Sequence, residues 1–185
     1  MLFRSPIGLP AELSGVSHRG SLLYTTGTTT NSAPGTTQLT ALAYDGTGVA
    51  PVAGIAVGDG SDPVVLVDGR VATVENATTD GTSARLVIWA MGVDGRWARL
   101  DESKLPGTWA TLRRMGGLVL AETGNAMAFL RPVDGGWAVL GHGPRPCGFW
   151  GDWASGDAGA DAVVWLPRGD SGLVSIAPWP TSAGR

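Results

Sequence analysis

Ser171 lies in the tetrapeptide Gly169-Asp170-Ser171-Gly172 and is the first residue whose type and setting suggest chemistry. A serine becomes a nucleophile when a histidine takes its proton and a carboxylate orients that histidine. The chain offers two histidines, His18 in SGVSHRGS and His142 in LGHGP. A second candidate is CGFWGDWASGDAGADA, residues 147–162. There Trp150 and Trp153 would stack on a sugar ring, while Asp152, Asp157 and Asp161 would bond its hydroxyls. The same carboxylates would attract Ca²⁺, but the one-three-five ligand spacing of a calcium loop is absent. The competing interpretation is that both tryptophans cover the closing edge of the fold. Cys147 is the sole cysteine, so no intrachain disulfide forms, and a lone thiol is more often a small buried hydrophobe. No phosphate-binding loop, dinucleotide fingerprint, zinc spacing or metalloprotease helix is present, so neither a cofactor nor a metal site is expected.

These residues must be held by strands. Short apolar or alternating runs recur almost throughout, bounded by Gly, Asp, Asn and Pro: SLLYTTG, QLTALAY, PVVLV, RVATVE, RLVIWAM, GLVLAE, AMAFL, WAVLG, AVVWLP and LVSIAPW. Val, Ile, Thr and Trp favour a pleated, half-buried surface, and Asp-Gly pairs are turn signals. One segment, DESKLPGTWATLRRM, is the only candidate for a helical turn, and Pro106 with Gly107 interrupts it.

The runs repeat. LVIWAMGVDGRWARL aligns without a gap on AMAFLRPVDGGWAVL, with Asp94 and Asp134 in register 40 residues apart. Trp97 and Trp137 each follow that aspartate by three residues, and Trp89 and Phe129 each precede it by five. AVVWLPRGDSGLV fits the same frame: Trp165 precedes Asp170 by five residues, and Ser171 falls where Gly95 and Gly135 sit. TQLTALAYDGTG is a weaker copy turning at Asp45 and Gly46. Each unit therefore reads strand, turn, aromatic-bearing strand, Asp-Gly turn, strand. The spacing predicts one all-β domain over residues 1–185 with four units at about 13–58, 59–103, 104–144 and 145–180. A multi-stranded unit of about 40 residues implies propeller-like repeats, because one small sheet cannot cover its own faces and radial neighbours must. A β-sandwich or barrel of similar strand count is the alternative.

Three resemblances follow from these residues. VIWAMGVDGRWARL is similar to the aromatic strand, Asp-Gly turn and trailing Trp of Asp-box (BNR-type) propeller repeats. In that family the aspartate bonds local backbone and the tryptophan packs, which implies structural roles for Asp45, Asp94, Asp134 and Asp170 and for Trp89, Trp97, Phe129, Trp137 and Trp165. The Ser or Thr usual two residues before the Asp is replaced by Gly92 and Pro132, and Leu173 stands where the fourth unit would carry its Trp. Gly169 to Gly172 resembles the nucleophile motif of chymotrypsin-like proteases. There the histidine follows a substantial part of an N-terminal barrel, whereas His18 has 17 residues before it, His142 comes too late, and Leu173 replaces the usual Gly. The repeat frame explains the string as a turn, so catalysis by Ser171 is not expected. Sialidase-like propellers use an arginine cluster, an acid and a Tyr–Glu pair. Here Tyr24 and Tyr44 are the only tyrosines, and Tyr44 sits beside a turn aspartate.

Composition narrows the function classes. The formal net charge is −3 and 16% of residues are charged, which argues against a nucleic-acid partner. The opening MLFRSPIGLPAELSG lacks the apolar core of a signal peptide, and no apolar run is long enough for a membrane helix. Twelve Arg against the single Lys104, with abundant Ala and Gly, suggest the coding bias of a GC-rich genome such as an actinobacterium or one of its phages. YTTGTTTNSAPGTTQLT is a Thr-rich surface loop suited to an oligomer contact. The expectation is a non-enzymatic binding or assembly module, located in a virion or the cytoplasm. Within that class it is a tail or capsid accessory component of an actinobacterial phage, partnered by other protein subunits. A carbohydrate-binding or glycan-hydrolysing propeller, with a glycan as partner, is the alternative.

Overall fold

In the computed structural model, the described residues are 8–9, 12–16, 22–27, 37–58, 63–66, 68–77, 83–115, 117–124, 126–133 and 136–144, with 154–156, 163–167 and 173–176 as backbone strands. Their regular elements are strands. Among them there is no helix, and hence none long and apolar enough to cross a membrane.

The strands make four consecutive antiparallel sheets in which sequence neighbours are spatial neighbours. The first sheet contains β1 (Glu12–Val16), β2 (Leu22–Gly27), β3 (Thr37–Tyr44) and β4 (Val49–Val57). The second contains β5 (Val64–Val65), β6 (Val71–Glu75), β7 (Arg85–Met91) and β8 (Trp97–Lys104). The third contains β9 (Ala110–Met115), β10 (Leu118–Thr123), β11 (Ala126–Val133) and β12 (Gly136–Pro144). The fourth holds β13 (Ala154–Gly156), β14 (Val163–Pro167) and β15 (Leu173–Ile176).

The sheets stack face to face. Tyr24, Leu39, Ala41 and Val57 of the first meet Val65, Val71, Val87 and Trp89 of the second. The other face of the second presents Val64, Leu66, Ala72, Val74 and Leu86 to Leu112, Val119, Ala121, Ala128 and Leu130 of the third. First strands touch first strands (β1 with β5, β5 with β9), and last strands touch last strands (β4 with β8, β8 with β12). That in-step contact is radial, propeller-like stacking. A two-layer sandwich leaves each sheet one face toward solvent, whereas the middle strands of the second sheet are covered on both. The first and third sheets also bury their far faces. Leu42 is opposite Ala41 and fully buried, and Leu118, Leu120, Met127 and Phe129 are opposite Val119 and Leu130 and at most 3% exposed.

This arrangement explains the sequence pattern. Middle strands such as VATVE and LVLAET are near-continuously buried because both faces are covered, whereas β8 alternates half-buried and exposed residues at the rim. The first three sheets have one strand more than the three-strand unit read from the repeats. β1, β9 and β13 open their sheets and carry little apolar signal in ELSGV, ATLRRM and ASG. The segment considered for a helical turn is strand, bend, strand. Gly107 takes φ 97° after Pro106, and Ala110–Met115 then pairs in register with Leu118–Thr123. Pairing with a strongly apolar neighbour overrides the helix preference of Leu112, Arg113 and Arg114.

Candidate functional site

The Asp-Gly turns at Asp45 and Asp94 join the third and fourth strands of their sheets. At the first, the Asp45 carboxylate accepts the backbone N–H groups of Thr47 and Gly48 and the Thr47 hydroxyl, each at 2.8 Å. Gly46 takes φ 96°, which an L side chain resists. The Thr47 N–H, then the Gly48 N–H and the Thr47 hydroxyl, hold the Asp45 carboxyl down to about 2. At the second, Asp94 accepts the Arg96 N–H at 3.1 Å, and Gly92 and Arg96 close the turn through a 2.8 Å backbone bond. A Cβ on Gly92 would lie 2.5 Å from Asp94 Oδ1, so glycine leaves room for the carboxylate.

These turns are also points of contact between sheets. A Cβ on Gly95 would approach Val52 Cγ1 of β4 to 3.6 Å. One on Gly136 would meet Asp101 Oδ2 of β8 at 2.6 Å. Val52 is the extra residue of a bulge, since Leu42 pairs with Pro51 and Ala41 with Ala53. Leu100 and Leu140 are skipped in the same way in β8 and β12. A bulge bends and twists the strand that carries it, and here it recurs in the last strand of each four-stranded sheet.

Trp89, Trp97 and Trp137 face the gaps between sheets. Trp89 is buried, and its indole N–H donates to Thr73 Oγ1 at 2.9 Å. The Arg99 guanidinium stands 5.7 Å from its ring centroid while pairing with Glu75 and Glu102. Trp97 packs against the core between first and second sheets, its ring 5.5 Å from that of Tyr24. Trp137 does the same between second and third. Both indole nitrogens, Trp97 Nε1 and Trp137 Nε1, are buried without a hydrogen-bond partner. Phe129 is buried on the far face of the third sheet. Trp165 pairs through its backbone with Ala154 and Ser175.

Other candidates separate. Trp150, Asp152, Trp153, Asp157 and Asp161 lie outside the described residues, as do Asp134, Asp170, Ser171, His18 and Cys147. His142 is exposed on β12 opposite Ala128. Tyr24 is 2% exposed, its hydroxyl points at the Gly69 carbonyl at 3.4 Å, and burial pushes its pKa up, the opposite of what a nucleophilic phenolate requires. Tyr44 is exposed at the end of β3. Among the described residues no three His, Cys, Asp or Glu side chains gather to hold a metal ion.

The aspartate turn between β5 and β6 escaped the repeat alignment. Asp68 accepts the Arg70 N–H at 3.0 Å and bonds its guanidinium. Burial alone would raise the Asp68 pKa; hydrogen bonds from Arg70 and its charge outweigh this and lower it. The signal was available: Val-Asp-Gly-Arg occurs at 67–70 and again at 93–96. Arg70 also reaches across to the Val133 carbonyl at 3.1 Å, tying this turn to the end of β11 in the next sheet.

No protein-family model matches the chain, and no curated protein sequence matches it. Among solved structures, a crystal structure of a protein from Lactobacillus plantarum is similar at a TM-score of 0.37 and 11% identity, over 84% of this chain and 67% of that one. At that score the likeness carries neither family nor function.

Proposed function

We propose that the chain is a non-enzymatic binding or assembly module whose repeats are Asp-box-like. One observation carries this reading: the turn aspartates and gap tryptophans among the described residues are committed to the fold. The Asp45 and Asp94 carboxylates are taken up by turn backbone, and Trp89, Trp97 and Trp137 fill the gaps between sheets. A scaffold built this way presents rims and loops to partners without drawing on its repeat residues for chemistry. Gly92 departs from the Asp-box pattern in which Ser or Thr precedes the aspartate, and the closeness of Asp94 Oδ1 accounts for the smaller residue. The finer form of the proposal, a tail or capsid accessory component of an actinobacterial phage, draws on the Arg-over-Lys bias and the low charge.

Two measurements test it. A fluorophosphonate probe is expected to label wild type and Ser171→Ala equally weakly, and a panel of chromogenic glycosides should show no turnover. Selective labelling of Ser171, or hydrolysis of a glycoside, overturns the non-enzymatic reading. Mass spectrometry of particles purified from the encoding source should find this chain's peptides; particles without them remove the virion assignment.

A further inference from the structure

The last strand of each four-stranded sheet lies at its edge, with one side of its backbone unpaired by any described strand. Such edges template pairing with another chain unless charge, proline or a bulge blocks them. β8 is guarded by Arg99, Asp101, Glu102 and Lys104, and β12 by its bulge at Leu140 and by Pro144. β4, VAPVAGIAV, carries no charge along nine residues. Its guards, Pro51 and the bulge at Val52, lie in its first half. The second half, Ala53–Val57, has neither, and each of its residues pairs in unbroken register with Ala41–Thr37. Its outer face is flat: Gly54 and Ala56 are exposed, and the Gln38 side chain lies across Gly54 in space that a Cβ would fill.

We infer that the Ala53–Val57 edge of β4 pairs antiparallel with the same segment of a second copy of this chain, about a two-fold axis through Ile55. The axis sets Ile55 against Ile55 of the second copy, Gly54 against its Ala56, and Ala53 against its Val57. A self-complementary patch is what a two-fold interface needs, and this one opposes residues of similar size with no charge on either side. Pro51 and the bulge stay outside the paired stretch. The small exposed side chains let the backbones approach to the roughly 4.8 Å spacing of paired strands. The inference rests on the assembly reading and names its partner as a second copy.

The test is sedimentation velocity of the full chain from about 1 to 200 µM. Wild type is expected to dimerise reversibly with a Kd on the order of 10–100 µM, the weak end expected of a small interface. Ala56→Lys puts a charge on each copy near the axis and should weaken dimerisation by about tenfold or more. Ala50→Lys, also exposed but on the guarded half, should leave it unchanged, and both variants should melt as wild type does by circular dichroism. A monomer at all concentrations overturns the inference, as does a dimer that Ala56→Lys leaves intact or a dimer that Ala50→Lys weakens equally. None of these results bears on the probe-labelling and hydrolysis tests of the non-enzymatic reading, so the two fail separately.

Discussion

Trp89→Phe should destabilise the protein far more than Trp97→Phe, although each removes the same atoms from a repeat tryptophan. Trp89 is 6% exposed and donates at 2.9 Å to Thr73 Oγ1, which is itself buried. Losing the five-membered ring costs about 1–2 kcal/mol in transfer and cavity terms. Withdrawing the donor from a buried hydroxyl adds about 1–3 kcal/mol. Together these give roughly 2–5 kcal/mol, or a fall in Tm on the order of 5–15 °C for a chain of this size. Trp97 is only partly buried, and its Nε1 is already dehydrated without an acceptor. Phenylalanine there removes an unsatisfied donor, a gain of similar size to the packing loss, so the net change should stay within about 1 kcal/mol. Urea unfolding followed by far-ultraviolet circular dichroism compares the two without relying on tryptophan emission. A double-mutant cycle with Thr73→Val isolates the hydrogen bond and should return about 1 kcal/mol of coupling. If Trp97→Phe costs as much as Trp89→Phe, or the cycle returns no coupling, the assignment of the two indoles to different roles is wrong.

Gly58→Ala should destabilise by about 1–3 kcal/mol through overpacking, because its Cβ would sit 2.8 Å from Glu75 Cα; equilibrium urea unfolding measures this, and a neutral result would mean the first two sheets meet less tightly than described. Asp45 should titrate by carboxyl NMR at about 2 in the folded chain. Its folded pKa is depressed, so its contribution to stability is present above the ordinary carboxylate range near 4 and is lost as pH falls toward about 2. Asp45→Asn should therefore flatten that part of the stability profile, and an unchanged acid limb would refute the assignment.

Much of the architecture was legible because it lies in local pattern. Ten of the strand-forming runs are apolar or alternating segments with turn residues at both ends. The all-β, repeating character follows from the 40-residue offset of Asp94 and Asp134 and the tryptophans around them. Of the first strands, β5 shows in PVVLV, whereas β1, β9 and β13 were not legible. ATLRRM contains good helix formers, and ELSGV and ASG are too short or too polar to declare themselves; each becomes a strand by pairing with the second strand of its sheet. The bulges in β4, β8 and β12 were hidden for a similar reason, since an extra residue shows only against its partner strand.

The sequence by itself determined the strand class, the turn chemistry and the period, because backbone preference and Asp-Gly turns act over a few residues. Only the tertiary structure decided which strands touch across sheets, that Trp89 finds Thr73 while Trp97 and Trp137 leave their N–H groups unpaired, and that the second half of β4 lies at a sheet edge without charge, proline or bulge. Those outcomes depend on how faces and rims of separate sheets meet, and contacts between residues far apart in the chain leave no mark in local spacing.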